Sequence, residues 1–253
     1  MDENRKRPSR AVDMVGRTRR ARDRHVLVIG VTVVTLLALA IVAGVLLTRS
    51  ARDDELTAPP GASGIDAPVR RTGGVVVVGS DTAPTTIAVY EDFLCPACAR
   101  FEEEYGPRIG REVETGRLRV EYHLLPMLVG LSHPEGYSLD AANAALCAAD
   151  QDRFWAYHQA LFAVQPREGG AGHSEQELVD LGRDLGITDP GFEPCVRTGA
   201  HDDAARAELA HVVGADFFHG TPTVTVSGKR VDLREGWLNG LLGDTAGSPS
   251  AGS

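Results

Sequence analysis

The sequence predicts an α/β domain with an inserted helical subdomain, preceded by one N-terminal transmembrane helix. Three observations predict it. Val26 to Thr48 carries no charged side chain. A β-branched run delivers Cys95-Pro96-Ala97-Cys98 to the start of a helical pattern. About 95 residues of mostly helical pattern then separate Leu125 from Thr221, where a parallel crossover needs little more than a dozen.

The uncharged run is long enough, at ~1.5 Å per residue, to cross a ~30 Å hydrocarbon layer. Before it, residues 1–25 carry nine basic and four acidic side chains, whereas Asp53, Asp54 and Glu55 follow it closely. Basic flanks stay on the cytoplasmic side, so residues 26–48 read as a single-pass anchor in the cell membrane, with the rest of the chain extracytoplasmic. A cleaved secretory signal has a shorter apolar core, and no obvious cleavage site follows this one. The formal net charge of −9 leaves −14 for everything after the span. That sign excludes nucleic acid as the natural partner of the exported part.

Residues 49–71 mix Pro59, Pro60, Gly61 and Gly64 with charges and show no periodicity, which reads as a linker. Residues 243–253 are mainly Gly, Ser and Ala and read as a disordered tail. The folded domain is then 73–242. Val75 to Val78 and Thr86 to Phe93 suit strands, and Leu118 to Leu124 alternates as a half-buried strand does. Pro96 fits a first helical turn, where a missing N–H costs nothing, and Gly106-Pro107 predicts a kink or break downstream. Helical patterns follow over 140–149, 152–162, 175–185 and 202–211, placing the insertion at about 126–217. Thr223 to Val226 resumes the strand pattern before the turn Ser227-Gly228-Lys229, with Val231 to Leu233 as a possible partner strand.

Four cysteines in an exported domain point to disulfide chemistry, because that compartment oxidises thiols. Cys95 sits where a strand meets a helix, beside free backbone N–H groups and the positive end of the helix dipole. Those favour the thiolate, the reactive form. Cys98, one turn further, is placed to attack a mixed disulfide at Cys95. The competing readings are an inert bridge or part of a zinc site, but no second CxxC or paired-histidine motif supplies the other ligands. Cys147 and Cys195, far apart and without an evident activating neighbour, read as one structural disulfide, the alternative being a second redox relay. No nucleotide, cofactor or metal motif is present.

The stretch Val89-Tyr90-Glu91-Asp92-Phe93-Leu94-Cys95-Pro96-Ala97-Cys98, the segment from Ala145-Leu146-Cys147 to Phe154-Trp155, and Gly220-Thr221-Pro222-Thr223-Val224 with Gly228-Lys229 together resemble the DsbA-like branch of the thioredoxin superfamily. Its membrane-anchored actinobacterial members are the most similar in pattern. The resemblance implies a thioredoxin fold with a helical insertion, and a thiol-disulfide oxidoreductase acting on unfolded or partly folded exported proteins. It also implies a cis bond at Thr221-Pro222 and pairing of the Thr221 backbone with an extended substrate strand. A membrane reoxidase of the DsbB or vitamin-K-epoxide-reductase type is the implied redox partner. Many thioredoxin-like proteins carry a buried acid six positions before the first cysteine; here that position is Val89, and Glu91 is the candidate proton relay instead.

An oxidase is the expected direction, with a reductase or isomerase fed electrons through the membrane as the alternative. A non-catalytic binding module with two structural disulfides is the alternative from another class. His123, His133, His158, His201, His211 and His219 read as surface or ordinary packing, His219 being the one near the proline loop. Phe154, Trp155, Tyr157 and Phe162 are expected to pack the insert, and Glu102 to Glu104 to form a solvated helix face.

Overall fold

Short alternating runs build a six-stranded sheet in the computed structural model, which describes residues 64–243. The expected segment 1–25, span 26–48, most of linker 49–71 and tail residues 244–253 lie outside the described residues. Among those described, no helix is long and apolar enough to cross a membrane.

The strands are β1 (Val69–Thr72), β2 (Val75–Val78), β3 (Thr85–Glu91), β4 (Leu118–Leu124), β5 (Thr223–Val226) and β6 (Lys229–Arg230), in the spatial order β1-β2-β4-β3-β5-β6. Only the β3–β4 pair is parallel. Helix α1 (Pro96–Glu114) makes that crossover. Ile87 and Val89 face the main core, while Ala88 and Tyr90 meet a smaller cluster with Val212 and Phe218. β3 is therefore covered on both faces.

The insertion contributes α2 (Tyr137–Ala149), α3 (Phe154–Ala163), α4 (Glu175–Asp184), α5 (Phe192–Arg197) and α6 (Asp202–Val212); α7 (Trp237–Leu242) closes the domain. Ser174 caps α4 in a reciprocal box with Glu177, which satisfies two end donors at once. The aromatic residues of α3 are buried and reach the sheet, Phe154 lying 5.3 Å from Tyr122 between ring centroids.

Three local expectations are corrected. β1 begins inside the span read as linker, because Val69 to Thr72 pairs with β2 through the Gly73-Gly74 turn, with Arg70 exposed and Arg71 half-buried on the other face. Arg71 is held there by Asp150 at 2.7 Å. β6 lies at Lys229–Arg230 rather than Val231 to Leu233, since Ser227 and Gly228 both take positive φ and reverse the chain at once. Helix α1 continues through Gly106-Pro107. Pro107 is exposed, so the carbonyl it cannot reach can turn to water, and the glycines serve packing: a Cβ on Gly110 would lie 2.7 Å from the Trp155 ring. Helices α5 and α7, six residues each, were too short to leave a periodic signal.

Cys147 on α2 and Cys195 on α5 are disulfide-bonded, with Cα atoms 5.9 Å apart across 48 residues of sequence. Asn143 on α2 donates to the Val196 carbonyl at 3.0 Å and accepts from His201 N at 2.9 Å, so the same contact has non-covalent support. Replacing both cysteines by alanine should lower unfolding stability by roughly 4 kcal/mol in the chain-entropy model, read from denaturant midpoints at constant slope. A loss near zero would mean the Asn143 contacts suffice.

Candidate active site

β3 ends at Glu91, and four residues later Cys95 stands as the N-cap of α1, with Pro96 in the first turn. The intervening loop is held by Asp92, which is 2% exposed. Its Oδ1 accepts from Leu94 N at 2.8 Å, and its Oδ2 from Met127 N at 2.8 Å, Leu128 N at 2.9 Å and Ser138 Oγ at 2.6 Å. From the end of α3, Gln165 Nε2 donates to the carbonyls of Phe93 and Cys95 at 2.9 and 3.0 Å. The helix start is thus clamped from two sides.

β5 pairs with β3 in the register Tyr90↔Thr223, so the residues just before β5 arrive beside the end of β3. Those residues are Thr221 and Pro222, joined by a cis peptide bond. Cys95 Sγ lies 3.5 Å from the Thr221 carbonyl oxygen. Gly220 takes φ 134°, a conformation glycine adopts without strain. His219, the histidine nearest this loop in sequence, is exposed and bonds its Nδ1 to the Phe218 carbonyl.

The two sulfurs have opposite surroundings. Cys95 is 8% exposed and Cys98 fully buried. A hydrogen bond from Cys98, which outweighs the cost of burial, brings the Cys95 thiol down from its ordinary 9.0 to about 5, with Thr221 and the backbone N–H groups of Cys98 and Ala97 helping. Burial pushes Cys98 well up, and the neighbouring charges of Glu91 and Cys95 add to it. One sulfur is thereby set as thiolate and the other as thiol.

Glu91 is 1% exposed and meets two groups the sequence reading passed over. Its Oε1 hydrogen-bonds His158 Nε2, and its carboxyl contacts that of Glu102. Of the two readings open for it, surface or packing, His158 takes the buried one, and Glu102, at 2% exposure, is not part of a solvated face. Only Glu103 and Glu104 of that run are exposed. Helical spacing from Cys98 and Phe101 places Glu102 on the buried stripe of α1, and spacing from Phe154 and Phe162 does the same for His158 on α3. Strand parity with Ile87 and Val89 puts Glu91 on the same side. Cys147 and Cys195 are committed to each other on α2 and α5, elements apart from the Cys95-Cys98 turn.

A CxxC pair opening a helix against a cis-proline loop, on a sheet with a parallel β-α-β core, defines a site of the thioredoxin class. The family model described as thioredoxin matches residues 71–238, and the chain belongs to that family, in its DsbA-like branch. The chain is 29% identical to DsbA from Mycobacterium tuberculosis in its reduced form, with a TM-score of 0.59 over 68% of this chain and 94% of that one. It is 34% identical over 178 residues to the serine/threonine-protein kinase PknE of the same organism, a match covering 66% of this chain and 31% of the kinase. It is 31% identical over 111 residues to disulfide bond formation protein D of Bacillus subtilis, covering 43% of this chain and 45% of that protein. The chain thus spans less than half the length of these two relatives.

Because the folded Cys95 value lies below that of a free thiol, its charge stabilises the reduced fold fully above pH 9, and the contribution is lost as pH falls through about 5. Alkylation of the reduced protein should therefore rise with a midpoint at about pH 5 and label Cys95 alone. A midpoint at the free-thiol value would remove the electrostatic account.

Proposed function

We propose that this chain is a membrane-anchored, extracytoplasmic thiol-disulfide oxidase that introduces disulfides into exported proteins through Cys95 and Cys98. The observation that carries the reading is the contrast between the two sulfurs, one lowered to about 5 and held 3.5 Å from the Thr221 carbonyl, the other buried and raised. A thiolate at Cys95 stabilises the reduced enzyme and so favours transfer of the disulfide to a client. With a value near 5 the stabilisation at pH 7 is at most about 3 kcal/mol, or roughly 60 mV for two electrons. The sulfur sits near water, which makes that an upper limit.

The cycle begins with Cys95 and Cys98 oxidised. A client thiolate attacks Cys95 Sγ, the enzyme disulfide breaks, and Cys98 leaves with the electron pair and takes up a proton, for which Glu91 is the candidate relay. A second client thiolate then attacks the client sulfur, forming the product disulfide and releasing Cys95 as thiolate. Pro96 and Ala97 keep the turn free of charge, while Thr221 and Pro222 present backbone to an extended client segment. A membrane reoxidase of the DsbB or vitamin-K-epoxide-reductase type then removes two electrons. The uncharged run 26–48 and its basic flank support placement of the catalytic domain outside the cytoplasm.

Replacing Cys98 by alanine should trap client proteins on Cys95 as mixed disulfides, visible as reducible adducts that Cys95→Ala does not form. The Cys95-Cys98 couple should be clearly more oxidising than thioredoxin's ~ −270 mV. A couple at or below that potential makes the enzyme a reductant, and an absence of adducts makes the domain a binding module.

A further inference from the structure

Asp150, which caps the end of α2, accepts hydrogen bonds from two directions. Arg71 of β1 reaches its Oδ1 and Oδ2 at 2.7 and 3.2 Å, and His201 Nε2 reaches Oδ2 at 2.7 Å. The backbone N–H of His201 donates to Asn143 Oδ1 at 2.9 Å, so ring and backbone are both held at the start of α6. That ring stands beside the second disulfide. One of its nitrogens and the sulfurs of Cys147 and Cys195 all lie within 4.8 Å of one another.

A carboxylate only accepts, so Nε2 carries the ring proton and Nδ1 of the neutral imidazole keeps its lone pair. A disulfide makes no use of an oriented imidazole; a pair of thiolates does. Two thiolates, an imidazole nitrogen and a carboxylate on the opposite ring nitrogen are the donor set of a zinc site with its outer-shell support. Zn–S bonds of ~2.3 Å in a tetrahedral arrangement put two sulfurs roughly 3.8 Å apart. With Cα atoms 5.9 Å apart, rotation about Cα–Cβ of each cysteine opens that space. Charge agrees as well, because two thiolates balance Zn2+, whereas uncompensated they would be costly at Cys147, which is 1% exposed. Cys195 is only partly buried, which leaves a fourth position open to water. The ligands come from α2, α5 and the turn before α6, so their sequence spacing carries no zinc signature.

We propose that Cys147, Cys195 and His201 form a redox-gated zinc site: while the two cysteines are thiols, as in the newly made chain, they hold Zn2+ together with His201, and closure of the disulfide expels it. The ion ties α2 to α5 before the covalent bond exists. Binding displaces one proton from each thiol. Closure passes two electrons from the zinc-bound thiolates to a protein disulfide, which becomes two thiolates, while the Cys147 and Cys195 sulfurs join and Zn2+ leaves. The site is independent of the redox reading of Cys95 and Cys98.

Full-length protein carrying Cys95→Ala and Cys98→Ala, reduced with a phosphine and then freed of it, is titrated with Co2+ and afterwards with Zn2+. One Co2+ per chain should bind, showing thiolate charge-transfer and the visible bands of a tetrahedral site, and Zn2+ should displace it. The oxidised protein should take none. Asp150→Asn should weaken binding by about 10- to 100-fold, and His201→Gln should weaken it further and alter the visible bands. Cys147→Ala or Cys195→Ala should abolish them. Zinc should also raise the denaturant midpoint of the reduced protein but not of its His201→Gln form, which separates a site built by the fold from thiols of an unfolded chain. Absence of cobalt bands after reduction, binding unchanged in His201→Gln, or a midpoint indifferent to zinc would overturn the inference. Should reduction alone unfold the domain, Zn2+ decides: return of the folded signal supports the site, and no return removes it.

Discussion

The pairing of β5 with β3 decides where Cys95 can react. Because Thr223 lies opposite Tyr90, the chain entering β5 is carried to the point where β3 gives way to helix α1. A register slip of one residue would turn the alternating side chains of β5 over and move Thr221 away from the sulfur. The slip is resisted by burial, since Thr223, Val224 and Thr225 are all buried on a strand covered on both faces. Sheet register and redox geometry are therefore one constraint: nothing on the loop itself needs to hold Thr221 against Cys95.

Depth then divides the work between two identical side chains. Cys95 keeps a narrow opening to water and accepts the Cys98 hydrogen bond, which outweighs the desolvation of a negative charge, with backbone N–H groups from the first turn of α1 helping. Cys98, one turn deeper, receives the charges of Glu91 and Cys95 instead, both of which oppose ionisation. The same burial that holds Cys98 as a thiol raises both Glu91 and Glu102, so the deep layer favours protonated groups while the shallow one holds charge.

The parts of this arrangement that were legible in the sequence were those with a local signature. The CxxC after a β-branched run, the proline in the first turn, and the strands at 75–78 and 118–124 are properties of consecutive residues. The buried triad is not. Glu91, Glu102 and His158 lie on three elements, and each taken alone resembles a surface residue. Their parity with Ile87 and Val89, with Cys98 and Phe101, and with Phe154 and Phe162 was present in the sequence, but a polar residue on an apolar stripe has meaning only when the facing stripes are known. Asp92 escaped for the same reason: three of its four donors come from residues 127, 128 and 138, beyond the strand that follows α1. Gly106-Pro107 failed in the opposite direction, because local propensity was overridden by the close approach of Trp155 and Gln159.

These contacts change what the helical insertion is for. It brings His158 and Gln159 to the redox site from one helix, Gln165 from just past that helix's end, and Ser138 with the 127–128 turn from the segment before it. Without them Asp92 would be a buried carboxylate with a single donor, the Cys95 carbonyl would lose its side-chain partner, and the Glu91 and Glu102 carboxyls would face each other with nothing to orient them. Each of those losses leaves a buried polar group unsatisfied, which costs more than the bond itself contributes. The insertion is thus the second wall of the site as well as an addition to the core. Its own rigidity follows the same logic, since the Cys147–Cys195 bond and Asn143 join α2 to α5 away from the cysteine turn, leaving Cys95 and Cys98 free to exchange sulfur bonds while the wall behind them stays in place.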